Sequence, residues 1–106
     1  MNKNKLLKTI NELRNNIKKD LDSHTNICLY VKTWVIGGLD MLENKAKGKL
    51  FYVWPYKATY SYLLNDFLKS FYCCYINEKI KSETIKYLCT CENIKMINQL
   101  ITLINK

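Results

Sequence analysis

Residues 50–76 read LFYVWPYKATYSYLLNDFLKSFYCCYI and hold ten of the chain's thirteen aromatic residues. A stretch this rich in large apolar side chains must bury many of them, so it supplies the core and sets the fold. After Pro55, the residues Tyr56, Tyr60, Leu63, Leu64, Phe67, Phe71, Cys74 and Tyr75 recur at helical spacing, which predicts a helix ending near Asn77. Stepping about 100° per residue separates that core face from a second face of Tyr62, Asp66, Lys69, Tyr72, Cys73 and Ile76. Ahead of this helix, KLFYVWP (49–55) is extended by propensity, and Pro55 holds Trp54 away from helical geometry. The segment reads as a connector, or as a short strand with 27–31 as its clearest partner.

On the N-terminal side, Leu6, Ile10, Leu13, Ile17 and Leu21 fall on one stripe, predicting an amphipathic helix over 3–21. The polar run DLDSHTN (20–26) then reads as a turn and a helix N-cap. A second helix over 26–47 follows from Ile27, Val31, Trp34, Val35, Gly38, Leu39, Leu42 and Ala46 on one face. A strand at 27–36 or a break at Gly37-Gly38 is the rival reading. Lys45 and Lys47 suit a helix C-terminus, and Gly48 suits the left-handed cap position. On the C-terminal side, helices over 82–91 and 93–105 are expected, capped by Ser82 and Asn93 and with Ile85, Leu88 and Cys89 inward, or else one helix over 82–105. The last helix is apolar over about half its circumference, wider than the usual stripe, so it is central to a bundle or half of a homodimer interface.

The expected fold is therefore all-α, a single domain over 1–106 built as a small bundle of four or five helices, with a short extended segment near 50–54. Length allows one core. A hydrophobic content of 48% excludes a disordered chain, and three Gly with one Pro leave little material for a many-stranded sandwich. No run approaches the ~18–20 apolar residues that span a bilayer, and the start, MNKNKLLKTINELR, lacks the apolar segment of a secretory signal. A cytoplasmic protein is therefore expected, its five cysteines mostly reduced thiols, and an odd number cannot all pair within one chain.

The formal net charge of +8 suggests an acidic partner. Of the seventeen basic residues only Arg14 is Arg, whereas base-edge readout relies on Arg. The abundance of Asn, Ile, Tyr and Lys also points to an AT-rich genome, which accounts for part of the Lys excess. Cys73, Cys74, Cys89 and Cys91 are spaced as CC and CxC, which sends neighbouring sulfurs to different faces of a helix rather than toward one metal ion. No metal or other cofactor is expected. Cys74 and Cys89 read as small core residues. A Cys73–His24 nucleophile pair rests on residue type alone, since His24 is the only histidine and lies in a polar linker. The carboxylates are scattered, and Gly37-Gly38 lacks a phosphate-loop motif, so no catalytic activity is expected.

Two binding functions remain. The favoured one is a small non-catalytic protein-binding module, with Tyr62, Asp66, Lys69 and Tyr72 as the contact patch, where aromatic and charged groups mix as they do at interface hot spots. An inhibitor or immunity factor encoded by a phage, virus or plasmid would suit the size and the codon bias. The second is nucleic-acid binding through Lys45, Lys47 and Lys49 with Trp54 as a stacking face.

Overall fold

Among the described residues, five helices account for most of the structure: α1 at Lys3–Lys18, α2 over 25–46, α3 at Tyr60–Phe71, α4 at Glu78–Leu88 and α5 at Cys91–Asn105. The computed structural model describes residues 1–49, 52–53 and 56–105, and at 52, 53, 56 and 57 it describes the backbone alone. The architecture is the expected all-helical bundle. Within the aromatic connector, Tyr52–Val53 (β1) and Tyr56–Lys57 (β2) form a minimal antiparallel ladder, Tyr52 opposite Lys57 and Val53 opposite Tyr56. The alternative partner, 27–31, is helical. Trp54 and Pro55 lie outside the described residues.

Helix α1 starts where Asn2 Oδ1 accepts a hydrogen bond from the Lys5 amide at 3.1 Å, and its stripe of Leu6, Ile10, Leu13 and Ile17 is fully withdrawn from water. Each such side chain contributes about 1.5–3 kcal/mol on burial. Around the core, α1 packs on α2 and on α5, α2 packs on α3, and α3 packs on α5, so these four helices close a ring. The α2/α3 edge and the α1/α5 edge are opposite sides of it. Helix α4 covers one end by packing on Thr25–Tyr30, and its Tyr87 hydroxyl donates to the Ile17 carbonyl. Arg14 ties α1 to α2 through Asp40 and Glu43, each at 2.5 Å.

Helix α2 is a helix throughout, and not the rival strand, but its middle, Val31–Ile36, is π-helical. The core residues explain why. Ile27, Val31, Val35 and Leu39 follow one another at intervals of four, and at about 100° per residue that spacing drifts by about 40° per step. A wider turn of more than four residues cancels much of the drift and returns all four side chains to the core, where each is fully buried. The rival break at Gly37-Gly38 does not occur, and the glycine serves close packing: a Cβ built on Gly38 would meet Phe67 Cδ1 at 3.2 Å. Gly38 lets α3 approach, and α2 and α3 run antiparallel, with Tyr30 reaching Ser70 at one end and Lys45 over Tyr60 at the other.

Both α2 and α3 end in the same backbone motif. At the end of α2, Gly48 adopts φ 74°, its amide bonds Lys45 O, and the Lys49 amide bonds Asn44 O. This is the expected cap. At the end of α3, Cys73 adopts φ 62°, its amide bonds Ser70 O, and the Cys74 amide bonds Lys69 O. The third helix thus stops at Phe71 rather than near Asn77, and past that point the helical count no longer holds. Cys74 and Tyr75, expected inward, are exposed, while Cys73, expected on the outer face, is buried. Two further caps differ from expectation. Asn77, not Ser82, caps α4 through its Oδ1 and the Ile80 amide. Thr90 Oγ1 accepts from the Asn93 amide at the start of α5, so Asn93 lies inside the first turn and α4 and α5 are separate helices. Leu88 is buried as expected and Cys89 half-buried, but Ile85 is exposed.

Candidate functional site

Large apolar side chains that remain exposed after the core has closed are the residues that need explaining. Leu29 is 78% exposed, Trp34 57%, Tyr75 62%, Tyr62 45% and Tyr72 41%. All five belong to α2, to α3 or to the segment just after α3. Trp34 was expected on the core face, and the π turn is the reason it is not. The wider turn hands the core position to Val35 and turns Trp34 outward. It also draws Leu29 and Trp34 together: five residues span about 140° of rotation beyond a full turn in an α-helix, and about half that across a π turn. Tyr30, between them in sequence, sends its hydroxyl across to the Ser70 carbonyl at 2.7 Å, so this flank of α2 borders α3. Burial of the Tyr30 phenol, with Cys73 nearby, pushes its pKa up to about 12, so it stays a neutral donor across that contact.

On α3, Thr59 Oγ1 accepts from the Tyr62 amide and fixes the first turn. Tyr62, Asp66 and Lys69 follow one another at single-turn spacing and are all exposed, with Tyr72 at the helix's C-cap. Tyr72 packs edge-on against Phe71 at 5.1 Å, which leaves its outer side open and raises its pKa by burial of the inner side. Tyr62, Asp66 and Lys69 thus share one outward face of α3, with Tyr72 exposed at its end. Cys73 does not join them.

The second expected site is less coherent. Lys45 Nζ lies over the Tyr60 ring at 5.1 Å, and Lys47 Nζ is 3.5 Å from Glu43, so both charges are already engaged within the chain. Lys49 is exposed, and Trp54 is outside the described residues. The wide apolar face of α5 is spent inside the chain: Met96, Ile97 and Leu100 are buried, and Ile94, Ile101, Leu103 and Ile104 pack half-buried against the core. Its breadth therefore gives no argument for a dimer.

A polar cleft of about 560 Å³ opens where α1, the start of α2, α4 and α5 meet. His24 lies there with its ring 4.5 Å from the Tyr87 ring and its Nδ1 4.0 Å from Glu83. Asn93 forms the floor, held by the Asn16 amide and by its own donation to the Leu88 carbonyl. His24 is thus engaged by Glu83 and Tyr87, whereas Cys73 is buried at the end of α3 with its thiol directed at the Phe71 carbonyl. Burial raises the Cys73 pKa, the wrong direction for a thiolate nucleophile. Among the described residues, no three His, Cys, Asp or Glu side chains are placed to share a metal ion, and no helix is long and apolar enough to cross a membrane. The chain matches no known family model, no curated protein and no solved structure.

Proposed function

We propose that this chain is a non-catalytic protein-binding module that docks through the α2/α3 edge, with Trp34 as anchor and Tyr62, Asp66, Lys69 and Tyr72 around it. The observation that carries the reading is the exposure of Leu29 and Trp34 on α2, of Tyr62 on α3 and of Tyr72 and Tyr75 just after it, five large apolar side chains on one side of the bundle. Trp and Tyr are the residue types that dominate binding energy at interfaces, because they offer rigid area with few rotamers. Asp66 and Lys69 supply charges that set orientation rather than strength. An inhibitor or immunity factor of a mobile element, acting by occupying a surface of its target, fits a protein of this size and composition.

The test is capture from host extract by the immobilised protein after nuclease treatment, repeated with Trp34→Ala and with Tyr62→Ala/Tyr72→Ala. A partner held by the wild type and released by both variants supports the reading. Equal capture by all three, at equal folded fractions, contradicts it.

A further inference from the structure

The ring's opposite edge has a different chemistry. Helices α1 and α5 run antiparallel, with Asn16 bonded to Asn93 at one end and Lys5 beside Thr102 and Leu103 at the other. At the Lys5 end lies a groove of about 260 Å³ lined by Lys5, Lys95, Asn98, Gln99, Thr102 and Leu103. Two ammonium groups, two amides and a hydroxyl face it, and among the described residues no carboxylate does. The neighbouring clefts differ in this respect, since Glu12 and Glu92 line one and Asp20, Glu83 and Glu92 the other. Lys8, one turn along α1 from Lys5, is exposed and extends the positive strip.

We propose that this groove binds the phosphodiester backbone of nucleic acid without reading its sequence. Lys5 on one wall and Lys95 on the other act as point charges for phosphate, and amide and hydroxyl side chains are common donors to phosphate and sugar oxygens. Sequence readout is not expected, because bidentate recognition of base edges relies heavily on Arg and the chain's single arginine is held by Asp40 and Glu43. The groove lies across the bundle from the α2/α3 edge, so this inference stands independently of the protein-binding one. It also places the phosphate contacts away from Lys45 and Lys47.

The test is fluorescence anisotropy with labelled random-sequence oligonucleotides, one duplex and one single-stranded, as salt is raised from 50 to 200 mM. With three lysines in contact, duplex affinity is expected to fall about 40-fold over that range, and single-strand affinity somewhat less. Lys5→Gln/Lys95→Gln should leave about a 3- to 4-fold fall, with weaker binding at every salt concentration. Lys45→Gln/Lys47→Gln and Trp34→Ala should bind as the wild type does. No oligonucleotide binding at 50 mM salt would overturn the inference, as would a salt dependence that the Lys5/Lys95 variant shares with the wild type. Binding to phosphatidylserine vesicles but to neither oligonucleotide would overturn it in favour of a lipid surface.

Discussion

The two opposite edges of the bundle are closed by different means. At the α2/α3 edge the contact is steric: Gly38 admits Phe67 to within ordinary contact distance, and the aromatic groups that find no room inside stand outside. At the α1/α5 edge the contact is polar, with Asn16 bonded to the buried Asn93 at one end and lysines and amides lining the groove at the other. The difference teaches where each half of the composition went. The aromatic excess that decides the fold is also what leaves a sticky surface, while part of the lysine excess is gathered on the side where it cannot interfere.

The sharpest way to break this arrangement is Gly38→Leu. Even a Cβ there lies 3.2–3.4 Å from Phe67, so a larger side chain must push α3 away, at an expected cost of about 1–3 kcal/mol in urea unfolding. Partner capture should fall with it, while oligonucleotide binding by the folded fraction should be unchanged. A smaller effect is expected at the two helix ends. Gly48→Ala places a Cβ where nothing lies within 4 Å, so its cost of about 1 kcal/mol comes from the left-handed backbone alone. Cys73→Gly relieves the same backbone cost but empties a buried site, and the two effects should offset to within about 0.5 kcal/mol.

A third, smaller effect belongs to the contact that ties α1 to α2. The Arg14 guanidinium holds the Glu43 carboxyl below its ordinary value of 4.5. A carboxyl depressed by folding contributes stability that is present above its unfolded pKa and is lost as pH falls through its folded value. Wild type should therefore exceed Glu43→Gln by about 0.5–1 kcal/mol at pH 7, and the gap should narrow steadily as pH falls below the ordinary carboxylate range. A gap that does not change with pH would point to packing instead of charge.

How much of this was legible beforehand depended on whether the helical count stayed regular. The stripes of α1 and of Leu63 to Phe71 were readable because their periodicity is undisturbed, and Gly48 announced the end of α2 because glycine favours positive φ. Trp34 was misplaced because a regular helix cannot represent a π turn. The signal was present in the unbroken four-residue spacing from Ile27 to Leu39. Cys73, Cys74 and Tyr75 were misplaced because a cysteine in the left-handed cap position gives no warning in sequence. The groove beside Lys5 was invisible for a different reason: it is made by two helices at opposite ends of the chain, and only their packing brings Lys5 and Lys95 to one site.

The central claim is that Trp34 is exposed for a partner rather than for the fold. Its most direct test is the affinity of the captured partner for wild type and Trp34→Ala by titration calorimetry, with thermal unfolding measured alongside. At 57% exposure the substitution should change stability by less than about 0.5 kcal/mol. Affinity should fall by about 30-fold or more, the loss expected of an interface anchor. Unchanged affinity with an intact fold would contradict the account.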